Sequence, residues 1–73
     1  MPQDDTNLFR TERLRRGWSL PELARRCTEA GVPIDDGNLS RIERGIQIPR
    51  PRLRAVLAEL LGLDINDFER RAS

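Results

Sequence analysis

The chain is predicted to be all-α, and three features predict it. Apolar–polar alternation of the strand type is nearly absent. Apolar residues instead recur three and four positions apart in several stretches, and those stretches are bracketed by residues that start or stop helices. Together they predict five short helices, joined by connections of a few residues, in one compact domain.

Residues 7–16, NLFRTERLRR, make the first helix, with Gly17 as its stop. The second starts at Ser19, whose hydroxyl suits a first-turn N–H; Glu22, three positions on, has the spacing of a reciprocal capping box. Pro21 falls in the first turn, where its missing N–H costs nothing. Leu20, Leu23, Ala24 and Cys27 form one buried face, and Gly31 and Pro33 end the helix. Asp35 caps the third helix, its carboxylate expected to accept first-turn N–H groups and to complement the positive end of the helix dipole. Leu39 and Ile42 point inward there, and Gly45 stops the helix. IQIPRP is a loop. Leu53, Val56, Leu57 and Leu60 mark the fourth helix, ended by Gly62, and Asp64 caps a short fifth with Ile65 and Phe68 inward. Residues 1–6 are expected as a flexible arm, 7–70 as the domain and 71–73 as a tail.

The totals narrow the function. A chain of 73 residues makes one small domain, of a size class that buries about 60% of its unfolded surface. One cysteine permits no internal disulfide, and with no histidine the usual zinc ligand set is missing. No metal or other cofactor is expected. The chain has no His, Tyr or Lys, and its single thiol has no imidazole partner, so an enzyme is not expected. Cys27 reads as a small buried apolar residue. No apolar run approaches the length of a membrane span and there is no signal-peptide pattern, so the expected location is the cytoplasm.

Net charge is only +1, but its distribution is uneven. Residues 1–40 hold six Arg against seven acids. Residues 41–54 hold Arg41, Arg44, Arg50, Arg52 and Arg54 against Glu43 alone, and residues 55–73 hold two Arg against four acids. Positive charge is thus concentrated in one short segment. All thirteen basic residues are arginine. Codon bias in a GC-rich genome produces that usage, and it also suits phosphate and guanine recognition by a planar fork.

Four pieces carry a family resemblance: RLRRGWSLPELA from Arg13 to Ala24, LSRIERG from Leu39 to Gly45, Pro49, and LAELLGLDINDF from Leu57 to Phe68. In order and spacing they resemble the Cro/cI-type, phage-repressor-like helix-turn-helix proteins over residues 8–69. The resemblance implies a lambda-repressor-like domain whose second and third helices form the helix-turn-helix, with residues 35–44 as the recognition helix in the major groove. Three departures stand out. TEAGVPI makes the connection between those helices about five residues longer than the family's common length. Leu20 stands where the family often has a polar residue on the phosphate backbone. Asp36 and Gly37 stand where Gln, Ser or Thr often face bases.

The resemblance also implies a partly buried ion pair between Arg13 and Glu43. Arg41, two residues after inward Leu39, faces outward and is the first choice for base readout, since an arginine can take guanine O6 and N7 together. Asn38 matches the adenine edge, or bonds its own backbone; Asp36 can accept from cytosine N4, or simply favours the helix start. Ser19, Arg44, Arg50 and Arg52 are assigned to phosphates, which fix register but carry little sequence information. Ile46 and Ile48 either cover the core or contribute to a dimer contact. Trp18 is expected as a lid on the core.

The expected function is sequence-specific binding of double-stranded DNA as a transcriptional regulator, a repressor, in a bacterium, plasmid or phage. The implied assembly is a homodimer on a palindromic operator with half-site centres about 34–36 Å apart. The alternative is a protein-interaction module on the same fold, favoured by Leu20, the acidic start of the third helix and the small net charge.

Overall fold

The computed structural model describes residues 7–64, which hold four helices and no strand. They are α1 (Leu8–Arg15), α2 (Leu20–Glu29), α3 (Asp36–Glu43) and α4 (Pro51–Leu61). The expected fifth helix after Asp64, with Ile65 and Phe68, lies outside the described residues, as do the arm at 1–6 and the tail at 71–73.

Local chemistry accounts for each start. Asn7 caps α1, its side-chain oxygen accepting the Arg10 N–H at 3.0 Å. Ser19 caps α2 through the Glu22 N–H at 3.2 Å, but the reciprocal half of the box is absent: the Glu22 carboxylate turns to Arg25 and Arg26 instead. Pro51 sits in the first turn of α4, so that helix starts inside the stretch expected as loop. Asp35 holds the N-cap position of α3, and its backbone carbonyl accepts from Leu39 N at 3.2 Å, yet its side chain makes no capping bond. The expected carboxylate cap is therefore corrected.

Two glycines set the ends of the helix-turn-helix pair. Gly31 (φ 96°) and Gly45 (φ 79°) take the left-handed backbone that other residues adopt at a cost. The residue after each donates back five positions, Val32 to the Cys27 carbonyl and Ile46 to the Arg41 carbonyl, both at 2.9 Å. The lengthening of the connection is shared: α2 runs two residues past buried Cys27, and residues 30–35 bridge to α3.

One core joins the four helices. Phe9 of α1, Leu23, Ala24 and Cys27 of α2, Leu39 and Ile42 of α3, and Leu53, Leu57 and Leu61 of α4 are all buried. Helix α2 packs chiefly on α3, and both α1 and α2 pack on α4. Two assignments move. Leu20 is only half-buried, and on α4 Val56 and Leu60 are half-buried while Leu61 reaches the centre. Deleting a fully buried leucine such as Leu57 costs about 2–5 kcal/mol, a large share of a small domain's stability. No helix among the described residues is long and apolar enough to cross a membrane.

Candidate nucleic-acid interface

Helix α3 buries Leu39, Ile42 and Glu43 and exposes Asp36, Gly37 and Arg41, with Asn38 and Ser40 half-buried and Arg44 exposed at its C-cap. Its exit end is fixed by charge. Arg13 is 8% exposed and Glu43 is 6% exposed. Arg13 Nε donates to Glu43 Oε2 at 2.9 Å, Nη2 approaches the same oxygen at 2.8 Å, and Nη1 donates to the Trp18 carbonyl at 2.8 Å. One guanidinium thus ties α1, the α1–α2 turn and α3 together. A buried charge this well bonded is tolerated; the same charge left alone is not. The Asn7 amide adds a second tie, donating to the Glu43 carbonyl at 3.2 Å. The sequence reading missed Asn7: a cap is legible from its neighbours, but a contact across 36 positions is not.

The outward residues do not stand independently. Asn38 Nδ2 donates to Asp35 Oδ1 at 2.6 Å, and Arg41 Nη1 donates to Asn38 Oδ1 at 3.0 Å. Asn38, expected to meet a base or its own backbone, is therefore held between two side chains one turn either way. Asp36 is exposed and makes no ion pair among the described residues.

Arg44 is exposed, and its Nε reaches the Ser40 carbonyl at 3.4 Å. Arg50 is exposed at the N-cap of α4. Arg52 Nη2 reaches back to the Gly31 carbonyl at 3.4 Å, linking the start of α4 to the lengthened connection. Between those two segments lies an open cleft of about 740 Å³, walled by Val32, Ile34 and Leu53 and edged by Asn38, Arg50 and Arg52. Ser19 is exposed at the start of α2, its oxygen engaged by the Glu22 N–H.

Ile46 is 66% exposed and Ile48 is 53% exposed, so neither covers the core. Pro49, next in the same loop, is buried. Trp18 does pack against the core, as expected of a lid, and two guanidinium groups flank its ring: Arg26 at 4.3 Å and Arg16 at 5.9 Å from the centroid. Glu22 Oε2 lies 2.9 Å from Arg26 Nε, close enough for an ion pair, although that buried N–H makes no directed hydrogen bond.

Titration behaviour follows these contacts. A hydrogen bond from Arg15, then one from Arg16, holds the Glu12 carboxyl below its usual 4.5, and a hydrogen bond from Arg25 does the same for Glu22. Burial pushes the Cys27 thiol up to about 11, which keeps it protonated and unreactive at neutral pH. No group of three or more His, Cys, Asp or Glu suited to a metal occurs among the described residues.

Comparison with known proteins agrees with this architecture. The helix-turn-helix domain family matches residues 7–71. No curated protein and no solved structure matches the chain. The match covers almost all of the sequence and includes the buried α2–α3 pair, so the chain belongs to the helix-turn-helix DNA-binding proteins of the Cro/cI type.

Proposed function

We propose that this protein binds double-stranded DNA sequence-specifically and regulates transcription, as a repressor, with α3 in the major groove. One observation carries the reading. Arg41, Arg44, Arg50 and Arg52 cluster from α3 to the start of α4 and make no ion pair among the described residues, whereas the arginines of α1 and α2 are nearly all paired with glutamates. Unneutralised positive charge beside an outward helix face suits a phosphate backbone. In this reading Arg44, Arg50 and Arg52, helped by the Ser19 hydroxyl, set register, while Arg41 reads a base. Asp36 and Asn38 border the same base step. A homodimer on a palindromic operator, in the cytoplasm, completes the proposal.

Selecting bound duplexes from a random pool, followed by a salt titration on the winner, tests it. An enriched palindrome whose affinity falls steeply with salt is expected, because each engaged phosphate releases counterions. Weak, sequence-blind binding would reject it.

A second reading has one specific support. Ile46 and Ile48 stand exposed just after α3, and Asp36, exposed at the other end of that helix, makes no ion pair among the described residues. A module that docks a protein through this surface needs no steep salt dependence on DNA, so the same titration separates the two.

A further inference from the structure

We propose that Asp35 is a positioning residue for base readout: it orients the Asn38 amide, and the oriented amide aims Arg41. The inference rests on the DNA-binding reading above and adds to it the device that sets specificity.

Three observations meet here. Asp35 occupies the N-cap position, where a carboxylate ordinarily takes first-turn N–H groups, but its side chain makes no such bond. Oδ1 instead accepts from Asn38 Nδ2 at 2.6 Å, and Asn38 Oδ1 accepts from Arg41 Nη1 at 3.0 Å. Between Asp35 and Asn38 stands a glycine, and a Cβ at Gly37 would lie 3.2 Å from Asp35 Oδ2. A side chain at 37 would press on the carboxylate, which would have to give by a few tenths of an ångström.

The order of the groups matters. A carboxylate acceptor compels Asn38 to present Nδ2 on that side and Oδ1 on the other, which removes the amide's two-fold ambiguity. Arg41 is then held by a neutral oxygen rather than by an acid. It keeps its full charge, and only one of its five N–H donors is used, leaving the Nε–Nη2 edge for a guanine. Were residue 38 an aspartate, it would pair with Arg41 directly and compete with DNA for it. The acidic opening of this helix is thereby reconciled with a phosphate-facing role: one of the two aspartates is turned along the helix into the relay.

The test compares duplex preference at the base pair that Arg41→Ala makes indifferent, for the full chain and four variants. A bidentate arginine–guanine contact gives about 5- to 150-fold preference. Asp35→Ala is expected to reduce that preference by about 2- to 10-fold, the worth of one hydrogen bond, while affinity for a scrambled duplex does not fall, since the change removes a negative charge from the DNA-facing side. Asp35→Asn, whose amide donates as well as accepts, should restore only part of it. Gly37→Ala should reproduce the loss. In the Asp35→Ala background Gly37→Ala should add nothing, because there is no carboxylate left to crowd. The Asn38 side-chain amide resonances of the free protein should move in Asp35→Ala. Unchanged preference in Asp35→Ala, with the wild type selective and Arg41→Ala indifferent, overturns the relay alone. A wild type with no preference among duplexes overturns the DNA-binding reading and the relay's purpose together. Unmoved Asn38 amide resonances overturn the relay itself.

Discussion

The arginines before residue 35 and those from 41 to 52 are the same side chain in two electrostatic settings. Of the six in the first group, five are paired: Arg13 with Glu43, Arg15 and Arg16 with Glu12, Arg25 with Glu22 and Glu29, and Arg26 with Glu22. Four of those five lie at i,i+3 or i,i+4 spacing on a helix surface, where each pair contributes little. The fifth is buried and spans two helices. In the second group Arg41, Arg44, Arg50 and Arg52 make no ion pair among the described residues. A net charge near zero thus hides a neutralised half and a positive strip. A small domain can present a binding surface for polyanions without carrying a large overall charge, provided the acids are placed only where they are needed for folding.

The largest expected effect is at the one pair that holds the fold. Glu43→Ala leaves Arg13 buried without its partner and should cost about 3–5 kcal/mol, read as loss of the thermal transition or a large drop in its midpoint. Replacing both, as Arg13→Met with Glu43→Leu, should recover much of that stability, since apolar packing often matches a buried pair. A fully stable Glu43→Ala variant would show that this pair belongs with the surface pairs after all.

Next in size is Arg41→Ala. It should fold normally and lose about 1–3 kcal/mol of discrimination at one or two base positions, measured by competition between single-base operator variants. Asn38→Asp should weaken the same readout by pairing Arg41 internally, with a small loss of helix stability because the new carboxylate meets Asp35 where the amide had donated.

A smaller effect divides the two groups directly. Alanine at Arg44, Arg50 or Arg52 should weaken binding evenly across sequences and lower the salt slope by about 0.9 for each phosphate that is no longer neutralised. Arg15→Ala and Arg25→Ala should leave both unchanged. The smallest effect is on acid stability. Glu12 and Glu22 titrate below the usual 4.5 in the folded state because arginines bond their ionised forms. Their stabilisation is present above the unfolded value of 4.5 and is lost as pH falls from there through the lower folded values. Both pairs lie at the surface and are screened by solvent, so the melting temperature should decline gently across that window, and Arg15→Gln with Arg25→Gln should flatten the decline.

What the sequence disclosed and what it withheld divide by range. Ser19, Gly17, Gly45 and the spacing of Leu23, Cys27, Leu39, Ile42 and Leu57 act within a turn or two, and the helices they predict are found within about two residues of their expected bounds. Charge partition was also legible, because a run of arginines with one acid cannot be neutralised locally. Rotamer choice was not legible. Asp35 has the right type for a cap, but its carboxylate had two acceptor tasks within reach and takes the Asn38 side-chain amide rather than the backbone. Ile46 shows the same limit. Val32 and Ile46 follow equivalent glycines, yet Val32 packs on the core and Ile46 stands exposed. Asn7 reaching Glu43 is a tertiary contact with no local signature.

The most direct test of the central claim is the salt dependence of duplex binding for the wild type, for Arg44→Ala/Arg50→Ala/Arg52→Ala and for Arg15→Ala/Arg25→Ala. A steep wild-type slope is expected, with a triple variant flatter by about 2–3 in log–log slope and a double variant that overlays the wild type. A triple variant as steep as the wild type, or a double variant that flattens the line, would contradict that claim.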